Sequence, residues 1–199
     1  MEQGAVIWLT GTAASGKSTI GGLVGERLRE RGLRVEDLDS DEVRQNLSPN
    51  LGYTIEARDE NTKRLAWMGK VLGRNGVHVV VAAVSSLRRF RDRAREMCPH
   101  FVEVWVKAPL EVCKARDPKG LYARAARGEV NDIAGWHQPY EEPLAPEVIC
   151  DTVAHSAEQC ADQIMARLVE LGYIPPEGGV YTPEQEEAVA KRLGALGYL

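Results

Sequence analysis

Residues 11–18 read Gly-Thr-Ala-Ala-Ser-Gly-Lys-Ser, the spacing G-x-x-x-x-G-K-[ST]. That spacing makes a phosphate cradle. Gly11 and Gly16 let the backbone fold so tightly that the N–H groups of the loop, Thr12, Ala13, Ala14 and Ser15 among them, converge on phosphate oxygens. The helix expected from Lys17 and Thr19 onward adds the positive end of its dipole. Lys17 is placed to reach the outer phosphates and Ser18 to offer its hydroxyl to Mg²⁺. The apolar run Ala5-Val6-Ile7-Trp8-Leu9 precedes the loop, and a helix-forming stretch follows it. A strand before and a helix after turn the pattern into a site rather than a Gly/Ser turn with a surface lysine.

Three broad classes share such a loop: GTPases, motor or transport ATPases, and small-molecule kinases. Asn61-Thr62-Lys63-Arg64 lacks the lysine spacing and the aspartate of an N-K-x-D guanine element. ATPases usually end a core strand with an acid that helps hold Mg²⁺, whereas the run 77–84 ends in Ser85-Ser86. The carboxylates stand instead after the second apolar run, in Leu38-Asp39-Ser40-Asp41. Two acids beside a phosphate loop can hold a Mg²⁺ water shell and accept a proton from an attacking hydroxyl. Farther on, Leu65, Met68 and Leu72 form an apolar stripe at helical spacing. Asn61 and Arg58 continue that stripe toward the helix start, so both should face a cleft. An arginine on a buried face calls for an anion. The pattern therefore suggests a kinase site with a second, anionic substrate.

The elements that must position these residues alternate. Strands are expected at 6–9, 34–38, 77–84, 101–106 and 148–150. Helices are expected at 17–31, 41–46, 57–74, 87–97, 110–116, 122–127 and 156–171. The runs 77–84 and 101–106 are nearly continuous in apolar residues, as in parallel strands covered on both faces. The fold class is α/β, a P-loop NTPase fold with a doubly wound, five-stranded parallel sheet flanked by helices. Ligands in such a fold lie at the carboxyl ends of the strands. Residues 128–146, rich in Gly and Pro, break the alternation and suggest a lid.

The 199 residues, 44% hydrophobic and 27% charged, suit one globular domain with an appendage. A net charge of −4 lends no support to a nucleic-acid partner. No apolar run approaches the roughly 20 residues that span a bilayer, and an early first strand leaves no leader, so a cytoplasmic protein without membrane or nucleic-acid partners is expected. Cys98, Cys113, Cys150 and Cys160 are scattered and read as buried thiols. Pro175-Pro176-Glu177-Gly178-Gly179 reads as a linker. Thr182-Pro183-Glu184-Gln185 then opens a short helix with Val189, Leu193 and Leu196 on one side. This divides the chain into a kinase domain at 1–175, with a lid at about 117–146, and a tail at 176–199 that docks on its own domain or in a homodimer.

Taken together, these residues resemble the adenylylsulfate (APS) kinase family over about 4–174. The resemblance rests on the loop at 11–19; on Leu38-Asp39-Ser40-Asp41 with Arg44; on Leu51-Gly52-Tyr53-Thr54 followed by Arg58-Asp59-Glu60-Asn61; on Arg91-Asp92-Arg93-Ala94-Arg95; on Arg116-Asp117-Pro118-Lys119-Gly120-Leu121-Tyr122; and on Pro139-Tyr140-Glu141 before Pro143. It implies transfer of the γ-phosphoryl of MgATP to the 3′-hydroxyl of adenosine 5′-phosphosulfate, giving PAPS and ADP in sulfate assimilation. By the same resemblance Asp39 is the base or Mg²⁺ anchor, with Ser18 as the other metal contact. Asp41, Arg44, Arg58 and Asn61 hold the acceptor nucleotide, and Val84, Ser85 and Ala134 line its site. Ser85 matches the serine described in the family as a phosphoserine intermediate. Lys119 reaches the transferring phosphate or the phosphosulfate as the lid closes, and Arg116 lies against the ATP base.

The departures gather on the acceptor side. The family's two clamping phenylalanines become Tyr53 and Ile133, its Ile-Ser-Pro becomes Val84-Ser85-Ser86, and its Asp-Gly-Asp becomes Asp39-Ser40-Asp41. The lid reads Ile133-Ala134-Gly135-Trp136-His137-Gln138. Losing one aromatic face costs roughly 1 kcal/mol. A sister kinase acting on another nucleotide, such as a cytidine diphosphoramidate, and a non-catalytic nucleotide-binding module are the alternatives.

Overall fold

The first strand, β1 (Val6–Thr10), is buried along its whole length because it forms the centre of a sheet covered on both faces. A computed structural model describes residues 3–98, 100–179, 187, 189–191 and 194. Around β1 lie β2 (Val35–Asp39), β3 (His78–Ala82), β4 (Phe101–Lys107) and β5 (Val148–Asp151). The sheet order is β2-β3-β1-β4-β5, and every pairing is parallel. All five strands fall where the apolar runs predict them, within a few residues at each end.

Alternation along β1 sorts its side chains to two cores. Ile7 and Leu9 point to one face, which α1 (Lys17–Glu30) and α7 (Ala157–Glu170) cover with Ile20, Val24, Ile164 and Leu168. Val6 and Trp8 point to the other, covered by α3 (Ile55–Gly73) and α4 (Arg88–Met97) with Leu65, Ala66 and Ala94. The stripe read from the sequence is there: Leu65 is fully buried, and Met68 and Leu72 pack beside it. Thr54 caps α3 by accepting from the Ala57 N–H, and Ser156 with Gln159 forms a capping box on α7.

Three shorter helices, α2 (Ser40–Leu47), α5 (Leu110–Arg116) and α6 (Leu121–Ala126), stand at the carboxyl edge of the sheet. Residues 127–147 wrap back over that edge without regular structure beyond an isolated bridge between Ala134 and Gln138. All four cysteines are buried and free. Most of the expected tail helix, including Thr182, Gln185, Leu193 and Leu196, lies outside the described residues. Val189 lies against the turn after α7, its Cγ2 only 3.4 Å from where a Cβ on Gly172 would stand. Among the described residues no helix is long and apolar enough to cross a membrane.

Candidate functional site

The phosphate loop joins the end of β1 to α1. A Cβ on Gly11 would stand 2.4 Å from the Val106 carbonyl oxygen, so the loop can pass under β4 only with glycine there. Gly16 begins α1 with φ of 114° and no side-chain cap, which leaves the first N–H groups of the helix facing the loop. Lys17 is folded over this loop. Its Nζ donates to the carbonyls of Gly11 (2.9 Å) and Thr12 (2.7 Å), and burial draws its pKa down to about 8.

One turn away, Ser18 Oγ donates to Asp39 Oδ2 at 2.7 Å. The other oxygen, Asp39 Oδ1, accepts the Asp41 N–H at 2.8 Å and so caps α2. One carboxylate thus connects the helix behind the phosphate loop to the helix that carries Asp41 and Arg44. A hydroxyl and a carboxylate oxygen side by side are hard donors of the kind Mg²⁺ takes, the rest of its shell being water and phosphate. Among the described residues no group of three or more His, Cys, Asp or Glu could hold a metal ion by itself.

Across the cleft, two arginines share one aromatic ring. The Arg44 and Arg58 guanidinium carbons stand 4.6 and 5.4 Å from the Tyr53 ring centroid. Arg44 donates to the Gly52 carbonyl at 2.7 Å. Arg58 donates to the carbonyls of Tyr53 (3.0 Å) and Asp132 (2.8 Å) and to Gln138 Oε1 (3.2 Å). The sequence calls for an anionic substrate at Arg58; within the protein its partners are neutral oxygens, and among the described residues neither arginine belongs to an ion pair. Burial lowers the pKa of both, and for Arg58 the neighbouring Arg44 charge lowers it further. Asn61 is 2% exposed. Its Nδ2 donates to Ser40 Oγ at 3.1 Å, while its Oδ1 is buried with no hydrogen-bond partner.

The third wall is the segment after β3. Ser85 takes a left-handed backbone, φ 39°, uncommon for a residue with a side chain. Its hydroxyl oxygen accepts the buried Trp8 indole N–H at 3.2 Å. Its carbonyl accepts from Arg91 at 2.6 Å, and the Val84 carbonyl accepts from Thr10 Oγ1 at 2.7 Å. Arg91, 1% exposed, also pairs with Glu103 at 2.6 Å and donates to the Glu141 carbonyl. Sequence reading used Arg91 only as part of a motif. Glu103, a lone charge in an apolar strand, was the available signal that it has a buried partner.

The lid segment closes the top. Lys119 pairs with Asp41 Oδ2 at 2.5 Å, the Tyr122 hydroxyl donates to the Ala13 carbonyl, and Arg116 donates to Thr152. A Cβ on Gly135 would stand 2.8 Å from Thr12 Cγ2, so the lid rests directly on the phosphate loop. Ile133, 3% exposed, packs with Cys113, Tyr122 and Ala125 in a small core that the lid shares with α5 and with Ala13 and Ala14 of the phosphate loop. Ala134 is buried beside it.

One cavity of about 1570 Å³ joins these walls. Its lining includes Ala13 through Thr19, Asp39, Asp41, Arg44, Tyr53, Arg58, Asn61, Val84, Ser85, Arg116, Lys119, Ile133 and Ala134. Every site residue expected from the sequence borders it except Gly11 and Thr12 at the start of the loop. Sequence reading missed Ser40 and the group Thr152, His155 and Ala157, which line the same cavity. The last three follow the carboxyl end of β5, where the strand-end rule for α/β sheets would have pointed.

A sequence model described as adenylylsulphate kinase matches residues 3–151. An adenylyl-sulfate kinase of Picosynechococcus is 45% identical over 175 residues, covering 88% of this chain and 99% of that protein. A probable adenylyl-sulfate kinase of Pyrococcus abyssi is 44% identical over 173 residues, covering 87% and 99%. The solved APS kinase of Mycobacterium tuberculosis, in complex with AMPPNP and APS, superimposes with a TM-score of 0.81 at 35% identity, covering 84% of this chain and 99% of that one.

Proposed function

This chain belongs to the adenylylsulfate kinase family, and we propose that it transfers the γ-phosphoryl group of ATP to the 3′-hydroxyl of adenosine 5′-phosphosulfate, yielding PAPS and ADP. One observation carries the reading. A single cavity has a phosphate loop with the Ser18–Asp39 pair on one side and, on the other, two arginines that form no ion pair among the described residues. That is a site for two anionic substrates meeting over one carboxylate. The solved relative with a nucleotide analogue and APS bound together supports the pairing of substrates.

In this reading the phosphate loop and Lys17 hold the β- and γ-phosphates. Arg116 lies along the nucleoside half of ATP, with Thr152, His155 and Ala157 as neighbours. Arg44, Arg58 and Asp41 hold the acceptor, whose base lies between Tyr53 and the Ile133–Ala134 wall. The orphaned Asn61 Oδ1 accepts a hydrogen from an acceptor hydroxyl. The 3′-oxygen attacks the γ-phosphorus, the bond to the β–γ bridging oxygen breaks, and the hydroxyl proton passes to Asp39. Ser18 and Asp39 would hold Mg²⁺, which neutralises charge on the phosphate oxygens. Lys119 leaves Asp41 to meet the transferring phosphoryl group. Ser85 positions the acceptor wall rather than forming a phosphoenzyme, since phosphoryl transfer needs placement and charge neutralisation more than a protein nucleophile. Residues 1–175 carry the reaction and 176–199 are an appendage.

The test is direct. Purified chain with ATP, Mg²⁺ and micromolar APS should form PAPS and ADP in equal amounts. ADP formed with another nucleotide acceptor and not with APS would overturn the assignment in favour of the sister-kinase reading, which the replacement of a clamping phenylalanine by Ile133 favours.

A further inference from the structure

Arg58 lines the cavity and also holds the lid. The lid residues 133–138 form a tight knot. The His137 and Gln138 N–H groups both return to the Ile133 carbonyl (2.8 and 3.1 Å), and the Gly135 N–H bonds the Gln138 carbonyl at 2.8 Å. Trp136 stacks on His137 on the outside of the knot. The half-buried Gln138 side chain projects from it to the opposite wall. Its Nε2 donates to the Tyr53 carbonyl at 3.0 Å, and its Oε1 accepts Arg58 Nε at 3.2 Å. Arg58 completes the clasp by donating to Asp132 at the start of the knot.

We propose that Gln138 is a positioning residue, a neutral clasp that fastens the lid to Arg58 without cancelling the charge Arg58 offers to an anionic acceptor. The chemistry requires an amide. A carboxylate here would hold Arg58 more strongly, but it would neutralise the guanidinium and repel the acceptor's phosphate and sulfate. It would also lose the N–H that reaches Tyr53, because an ionised carboxylate only accepts. An apolar side chain would leave Arg58 charged and the lid unfastened. This inference rests on the acceptor being APS or another anionic nucleotide, as proposed above.

The test compares the wild type with Gln138→Ala and Gln138→Glu. Gln138→Ala should raise KM for APS about ten-fold, the worth of a hydrogen bond to a charged group, while KM for ATP changes less than two-fold. Gln138→Glu should raise KM for APS further still, although its ion pair keeps the lid attached. A purely structural clasp predicts the reverse order, with Glu at wild-type KM and Ala impaired. That order, or an unchanged KM for APS in Gln138→Ala, overturns the proposal. Hydrogen exchange of residues 132–138 without substrate supplies a separate readout, and it should quicken in Gln138→Ala. If the wild type makes no PAPS, the proposed function falls by itself. The exchange arm still reads the clasp, and unchanged exchange overturns it.

Discussion

Asp39 accepts the Ser18 hydroxyl at 2.7 Å with one oxygen and the Asp41 N–H at 2.8 Å with the other. The carboxylate proposed as base is therefore also the first hydrogen bond of α2. These two roles separate by substitution. Asparagine caps helices about as well as aspartate, yet it cannot take a proton. Asp39→Asn should keep its thermal midpoint within a few degrees while kcat falls about 10²- to 10⁴-fold. Unchanged turnover would remove Asp39 from the chemistry.

Gly135 has φ of 86° and meets Thr12 of the phosphate loop. Alanine there is strained by its backbone and collides with a stiff β-branched side chain. Gly135→Ala should cost ~1–3 kcal/mol of lid closure with little loss of global stability. The expected signature is a raised KM for ATP, read alongside an unchanged denaturation midpoint.

Arg91 holds three things at once: the Glu103 carboxylate, the Ser85 carbonyl and the Glu141 carbonyl. Removing Arg91 leaves the Glu103 carboxylate only the more distant Arg95, at 3.4 Å. Arg91→Met should destabilise by about 3–5 kcal/mol, and adding Glu103→Leu should recover much of that. Urea denaturation of the single and double variants measures both effects. Turnover should not recover with stability, since the backbone of Ser85, a residue of the proposed acceptor wall, stays unanchored.

Cys98 is 3% exposed and its Sγ faces the Ala66 carbonyl at 3.3 Å. Burial raises its pKa from 9.0 to about 11. Over that interval the folded chain keeps a proton that the unfolded chain gives up. The thiol's contribution to stability is thus complete below about 9 and is lost as pH rises toward 11, on the order of 2 kcal/mol. The native protein should resist alkylation of Cys98 by iodoacetamide up to about pH 10, followed by peptide mass. A fall in the urea midpoint between pH 9 and 11 that is shallower in Cys98→Ala completes the check.

Much of the architecture is legible in the chain because its causes are local. Strands and helices follow from apolar runs and periodicities of a few residues, and the phosphate loop from eight consecutive positions whose glycines admit a single turn. That Asp39 and Asn61 border the cavity is legible in the same way, one from its place after a strand and the other from a helical stripe. What a sequence pattern could not supply is which distant groups meet. Lys119 finds Asp41 and Gln138 finds Arg58 across separations of 78 and 80 residues. Those contacts depend on how far a lid without regular structure folds back over the sheet edge. Nothing periodic encodes that distance.

The same limit explains two features that no local pattern contains. Arg58 on a buried face called for an anionic substrate, and its guanidinium is held for one by backbone carbonyls from the Tyr53 turn and the lid. Ile133 read as a wall of the acceptor pocket, and it borders the cavity, while its side chain also packs in a small core shared by the lid, α5 and the phosphate loop. The sequence by itself determined the α/β layering and the form of the phosphate loop, since both rest on short-range steric and hydrogen-bonding rules. Only the tertiary structure decided how the opposite wall is assembled, because Arg58 and Lys119 reach partners 74–80 residues away, at 2.5–3.2 Å, only once the chain has folded back.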